Sequence, residues 1–556
     1  MRIRLPHALL PGLLFALLLP AAAQKSSEVK SSDVKSSDAK DDLVLSAMRA
    51  EMDRSKAQLR MENVAAPYYI EYRVFDLDEL GAEAAFGAVR GVGHTHFRFL
   101  RVVVRVGDYK VDSYFGQGEG TMDFLPVDDD MLAFRHQLWM ATDRAYKAAA
   151  ESLTAKQSQL KQLTVDQPVD DFAHADPVQF IGPLVTLQVD PAPWTKMLAD
   201  ASALYKNDPE IESYDANLKF QAVNRYFMNT EGTVVRNGAN YYEMTVAATT
   251  QAADGMSLKR DKGYTVGNVK DLPSAAEFSA AAAKLAGTLK DLRNAPVAEE
   301  EYRGPILFSA DAAAAVFSSF VGENVLGRKP ELGKNARTTG GFAASYKTRV
   351  LPDFMSVVSD PTMAAYNATP LLGHYEIDDE GVRAQRVSVI EKGTLVNYLL
   401  GREPIRDFPM SNGHGRAQVP VGKPEPHNSN LIFSSSQPVP KSDLKKKLIE
   451  LCQQRDLAYC YFVETLGPQH TPRLIYKVWT KDGHEELVRG AAFGDLDIRS
   501  LRSDLIAAGD DAEAENHLMN IPHSIVAPSI LFDELEVKRA NQNKEKLPEY
   551  PPPAVK

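Results

Sequence analysis

Cysteine is almost absent from this chain, with two in 556 residues, and so is any excess of positive charge, the formal balance being −11. Cys452 and Cys460 stand in CQQRDLAYC with no CxxC and no neighbouring histidine, so they do not make half of a zinc site. Two readings stay open for them, a disulfide between a helix end and a strand start or two small buried residues. No Lys/Arg stripe with interleaved aromatics occurs, which argues against DNA or RNA as a partner. Beyond the first two dozen positions no run approaches the roughly 20 apolar residues of a membrane span. HExxH, HExxxH, GxSxG and Walker A sequences are all missing, and Gly116-Gln117-Gly118-Glu119-Gly120 lacks the strand-to-helix setting of a dinucleotide fingerprint. His484-Glu485-Glu486 has no second histidine at ligand spacing, and His94-Thr95-His96 puts two histidines on one strand face without a third ligand.

The chain opens with a leader. Arg2 and Arg4, an apolar run from Ala8 to Leu19 and Pro20-Ala21-Ala22-Ala23-Gln24 have the three parts of a secretory signal peptide, with cleavage expected after Ala23. The expected location is therefore periplasmic or secreted. Residues 24–40 repeat a Lys-Ser-Ser-acid unit with little to bury, a solvated spacer.

Folded sequence is expected over two domains, 41–295 and 300–540, ahead of a disordered Pro-rich tail at 541–556. In the first, helical apolar spacing covers Leu43 to Met61, a strand starts at Pro67, and Phe97 to Val106 and Tyr109 to Phe115 read as a hairpin about Gly107-Asp108. Asp128 to Lys161 reads as a long amphipathic helix whose Asp128-Asp129-Asp130 start is favoured by the helix dipole. Further helices are expected from Pro191 to Tyr205 and Ser274 to Leu292, with a hairpin of Tyr214 to Asn229 and Thr233 to Thr250 about Thr230-Glu231-Gly232 between them. In the second domain a strand at Pro305 to Phe308 precedes a helix from Ala310 to Val325, and another helix covers Ser442 to Arg455. Gly373 to Arg402 carries two turn signals, Asp378-Asp379-Glu380-Gly381 and Glu391-Lys392-Gly393, and reads as a three-stranded meander with Ala384 to Ile390 in the middle.

A tight DDEG turn, a Gln-Arg strand, an acidic-Gly turn and a Tyr-Leu strand ending in Arg402 succeed one another in an order that resembles the C-terminal domain of the TldD/PmbA family. RYFMNTEGTVVRNG and VRGAAFGDLDIRSLRSDLIAAGDD extend the resemblance over most of the chain. It implies an α+β fold, an N-terminal α/β sandwich and then a β-rich antiparallel domain. The family includes metallopeptidases with HExxxH on a helix and a cysteine near the C-terminus, and metal-free partner subunits of the PmbA (TldE) type. Here the resemblance places Phe317, Ser318 and Gly322 where the first histidine, its carboxylate neighbour and the second histidine would stand. At the two ligand positions, Phe317 and Gly322 offer a divalent metal no side-chain donor. Glu323 lies one residue past the second position, and the cysteine region, Ala514 to Asn520, holds His517 but no cysteine.

The resemblance and these missing ligands together imply an exported, metal-free subunit without a cofactor, paired with a TldD-like homologue or with itself and handling unfolded peptide. The small residues of the loop Asn412, Gly413, His414 and Arg416 are candidates for close approach to a peptide backbone. Two alternatives stand beside it: an active metallopeptidase with a site rebuilt from His374, His414 and His427, and a stand-alone envelope binding or scaffold protein.

Overall fold

The computed structural model describes residues 42–164, 168–299, 301–418, 422–518, 521–541, 545–550 and 553. The expected signal peptide and spacer lie outside them.

Seven strands make the first sheet: β1 (Tyr69–Ala85), β2 (Ala88–Arg105), β3 (Thr121–Leu125), β4 (Gln179–Ile181), β5 (Ser213–Asn229), β6 (Val234–Gln251) and β7 (Ser257–Val266), in the order β3-β2-β1-β5-β6-β4 with β7 also on β6. Alternation along β1 assigns its two faces. Ile70, Tyr72 and Val74 pack under helices α1 (Leu43–Gln58) and α2 (Met131–Leu160), and Leu80, Ala82 and Ala84 under α3 (Pro191–Ala203) and α4 (Ala275–Asn294). Phe75 and Leu77 point the other way, to a cluster that includes Ala417 and Leu518. One face of the sheet is therefore clad by its own helices and the other meets the C-terminal half.

That half contains two sheets. The first, in the order β13-β12-β9-β16-β23-β22, is built from β9 (Met355–Ser359), β12 (Val387–Glu391), β13 (Thr394–Leu395), β16 (Asn430–Ser435), β22 (Glu513–His517) and β23 (His523–Ala527). The second, β19-β18-β17-β8-β24-β20 with β21 on β24, uses β8 (Glu301–Phe308), β17 (Tyr459–Leu466), β18 (Pro472–Trp479), β19 (Glu485–Val488), β20 (Ala491–Phe493), β21 (Leu505–Ala508) and β24 (Ile530–Arg539). Small hairpins pair β10 (Ala365–Tyr366) with β11 (Thr369–Pro370) and β14 (Gly415–Ala417) with β15 (Pro424–Pro426). Helix α5 (Ala310–Phe320) is sunk in the core shared by the two sheets, while α6 (Lys441–Gln454) covers the far side of the second. Cys452 at the end of α6 is joined to Cys460 in β17, with Cα atoms 6.2 Å apart. The sheets are mostly antiparallel, β4–β6, β16–β23 and β17–β8 being parallel exceptions, so the α+β class stands.

Helix ends obey local chemistry. Asp130 accepts a hydrogen bond from the Ala133 N–H and Ser274 forms a capping box with Glu277. Three expectations need correction. The hairpin expected about Gly107-Asp108 is only a tight turn closed by one antiparallel bridge, Gly107 to Asp112: β2 pairs along its length with β1 about Phe86-Gly87, and Tyr109 to Phe115 forms no strand. The meander is a single hairpin, β12–β13, because the Asp378 turn is closed by only one bridge, Ile377 to Arg383. The tail is not wholly loose, since the Glu545 N–H donates to the Gly255 carbonyl and Gln251 Nε2 to the Glu545 carbonyl.

Candidate functional site

The acidic turn Asp378-Asp379-Glu380 is a buried fastener between the halves. Asp378 accepts from the N–H groups of Glu380, Val382 and Gly415 at 2.9, 2.8 and 2.9 Å. Asp379 accepts from Arg416 Nε and the Ala417 N–H, and Glu380 from the Arg402 N–H at 2.6 Å. Gly415 is required here, for a Cβ on it would stand 2.0 Å from Glu380 Oε2. Burial pushes the Asp378 and Glu380 carboxyls above their ordinary range, the charge of Asp378 adding to the effect on Glu380. Asp379, also buried, is held below it by Arg416, Arg225 and Arg73. Arg402, 0% exposed, reaches into the first half: its Nη2 donates to the Ala173 carbonyl at 2.6 Å and to Glu231 at 2.8 Å. The Ala173 N–H donates back to the Arg402 carbonyl.

Helix α5 occupies the place where the resemblance puts a metal-binding helix, and its donor set does not suit a metal. Phe317 is fully buried and stacks on Phe433 with ring centroids 4.1 Å apart. Gly322 sits against Asn428, whose Nδ2 would be 2.8 Å from a Cβ there, so a side chain at this position meets a wall. Ser318 lies half-buried between them. Among the described residues no three His, Cys, Asp or Glu side chains are grouped to hold a metal ion.

The loop after Met410 is consumed internally. Asn412 accepts from the Leu400 N–H and donates to the Tyr398 carbonyl, and Gly413, at φ +74°, accepts from Tyr375 Oη. His414 Nδ1 donates to the Asn412 carbonyl, leaving Nε2 to accept from Ser359 Oγ at 2.9 Å. Ser359, His414 and Asn412 thus line up as a Ser–His–amide chain, yet Ser359 and His414 are 0% exposed and no substrate reaches the hydroxyl. Burial lowers His414 to about 4, so it is neutral. Arg416 differs: its Nη1 is buried without a hydrogen-bond partner.

Of the three histidines considered from sequence, His374 bonds the Pro361 carbonyl and His414 the network just described. His427 instead joins His523, with ring centroids 5.3 Å apart, and His523 stacks on His517 at 4.9 Å. The Nδ1–H groups of His427 and His523 donate to the Asn428 and Ile521 carbonyls, and His517 Nε2 is buried and unpartnered. Burial keeps all three below the usual imidazole value. His517 and His523 are cross-strand partners in the β22–β23 hairpin, a pairing that the short spacing between them could have signalled. His94 and His96 do share a face of β2, and each reaches an aspartate of β1, Asp78 or Asp76.

Beside this hairpin, on the face of the first sheet not covered by its helices, lies a cleft of about 380 Å³. Leu77, Phe97, Phe99 and Val223 form its floor, Tyr241 and Arg225 one end, and Leu518 and Pro522 a wall. No local pattern in the chain signals it, because its residues come from β1, β2, β5, β6 and the segment after β22.

Residues 301–539 match the family model for the PmbA/TldA metallopeptidase C-terminal domain. Over those residues the chain carries the C-terminal domain of the PmbA/TldD family. Among solved structures it is similar to TldE from Thermococcus kodakarensis, with TM-score 0.57 and 12% identity over 88% of this chain and 99% of that one. It is similar to a Thermotoga maritima protein described as a candidate modulator of DNA gyrase, with TM-score 0.58 and 14% identity over 88% of this chain and all (100%) of that one. At such identities the likeness concerns the fold. A protein from Archaeoglobus fulgidus named metalloprotease is 32% identical over 76 residues, which span 13% of this chain and 16% of that relative.

Proposed function

We propose that this TldD/PmbA-family chain is an exported, noncatalytic subunit, of the PmbA/TldE character, that holds extended peptide for a metal-bearing relative. The observation that carries the reading is the filling of the metal-helix position by core, Phe317 on Phe433 and Gly322 against Asn428. A helix that packs in this way has no room for two imidazoles one turn apart. The cleft beside β22–β23 has an apolar, polar-ended surface suited to a peptide, and the leader-like pattern of residues 2–23 supports an exported location. Partnership with a TldD-like homologue would supply the metal ligands that are missing here at Phe317 and Gly322. The test is hydrolysis of an unfolded peptide mixture by the isolated chain and by the chain with any homologue that copurifies. Turnover by the pair alone supports the reading; turnover by the isolated chain contradicts it.

A second reading, an active metallopeptidase with a rebuilt site, draws on one observation. Three neutral histidines, His427, His517 and His523, lie side by side, and two have the backbone-anchored Nδ1–H that metal-ligating imidazoles usually show. As they stand they are not grouped to hold an ion. The substitutions His517→Ala and His523→Ala decide whether any bound metal depends on them.

A further inference from the structure

We infer that the cleft beside β22–β23 is a pocket for the C-terminal residue of a peptide, taking a bulky apolar side chain on its floor and the free α-carboxylate on Arg225. The inference rests on the peptide-binding reading and adds to it the end of the peptide and the class of residue recognised.

The charges along β5 single out Arg225. Lys219, Gln221, Val223 and Arg225 alternate onto the cleft face, so the cleft extends about 20 Å along the strand. Lys219 is paired with Glu243 at 3.3 Å, and Gln221 donates to Glu79 at 2.6 Å. Arg225 has no such partner: among the described residues no carboxylate oxygen lies within 4.0 Å of its guanidinium. Its hydrogen bond from Nη1 to Tyr241 Oη is long, at 3.4 Å, and its Nε is buried and unpartnered.

The ground behind this end of the cleft is also short of negative charge. Arg225 and Arg416 both act on the same buried carboxylate, Asp379, which Arg416 already engages. Arg416 is 6% exposed and keeps Nη1 without a hydrogen-bond partner. Arg73, the third cation near Asp379, is matched by Glu71 at 2.8 Å. Two guanidiniums therefore share one ionised acid, and an unpaired cation half-buried at the end of an apolar cleft favours an anionic guest.

The arrangement selects among carboxylates. In a C-terminal residue the carboxylate and the side chain leave the same carbon, so an acid on Arg225 sets that side chain over Val223, Phe97 and Phe99. An Asp or Glu side chain within a peptide would bring main chain, not apolar surface, to the floor. Phe97 and Phe99 meet edge to face at 4.9 Å and are partly open, a surface suited to an aromatic or branched aliphatic group.

The test uses the full mature chain and two fluorescent peptides of one sequence ending in phenylalanine, one a free acid and the other a C-terminal amide. The acid is expected to bind at least about tenfold more tightly, as loss of one charge-assisted hydrogen bond implies. Arg225→Met is expected to remove that preference, and Arg225→Lys to retain part of it. A free acid ending in glycine should bind more weakly than the one ending in phenylalanine. Equal, measurable affinity of acid and amide for the unaltered chain overturns the inference and leaves peptide binding standing. Binding of neither peptide overturns both. Because the acid–amide comparison is made on the unaltered protein, it decides the matter even if the Arg225 variants do not fold.

Discussion

Two acidic triplets, near-identical in composition, end in opposite environments. Asp128-Asp129-Asp130 is exposed at the start of α2, where Asp130 caps the helix and Asp129 meets Arg98 at 2.8 Å. Asp378-Asp379-Glu380 is buried where the two halves meet, its oxygens taken up by backbone N–H groups, Arg416 and the Arg402 N–H. The difference lies in the groups that surround each triplet in space. The first triplet runs into an amphipathic helix, whose free N–H groups and dipole accept acids at the water boundary. The second is met by Gly401 and Gly415, whose missing side chains admit Glu380, and by the cations Arg402 and Arg416. Acidic side chains become internal structure when donors and space converge on them from distant sequence.

The buried triplet is most vulnerable at Arg402. Arg402→Ala should cost about 3–5 kcal/mol, because it leaves Glu231, only 13% exposed, with Tyr109 Oη and Asn229 Nδ2 but without this cation, and unties the Ala173 carbonyl. Urea unfolding reads the loss. Gly415→Ala should cost about 1–3 kcal/mol, since its Cβ would meet Glu380 Oε2 at 2.0 Å while that oxygen is held by the Arg402 N–H; a thermal melt showing no change would refute the account of this contact.

Titration sharpens the contrast next. Asp378 and Glu380 are raised to about 7 and about 8, so the folded chain keeps protons that the unfolded chain releases in the ordinary carboxylate range. Stability from this pair is present in full below that range, falls progressively as pH rises from it to 7 and 8, and changes no further above. The melting temperature should fall from about pH 4.5 to about pH 8 and level off beyond it, and Glu380→Gln should flatten the slope. An equal slope in that variant places the pH dependence elsewhere. The smallest effect belongs to the exposed triplet: Asp130→Ala should cost about 1 kcal/mol through loss of the cap, and Asp128→Asn less than about 0.5 kcal/mol by the same melt.

Elements written in one stretch of sequence were legible. The starts of α2, α4 and α5 and the Thr230-Glu231-Gly232 hairpin are local, and they appear within a few residues of their expected places. The β1–β2 hairpin was missed because Ala88 to His96 is exposed on both faces and shows no apolar alternation, so Gly107-Asp108 looked the better turn. The absence of metal ligands at Phe317, Ser318 and Gly322 was readable from the resemblance, whereas the reason the position is closed, Phe433 and Asn428, lies more than 100 residues further on. The approach of His427 to the His517–His523 pair and the Arg225 cleft depend on strand order, which no local pattern encodes.

The most direct test of the central claim is elemental analysis of the mature protein purified without chelator, alone and with any homologue that copurifies. The account expects no stoichiometric metal in the isolated chain and metal confined to the copurified homologue. About one metal per isolated chain, lost on His517→Ala or His523→Ala, would contradict it.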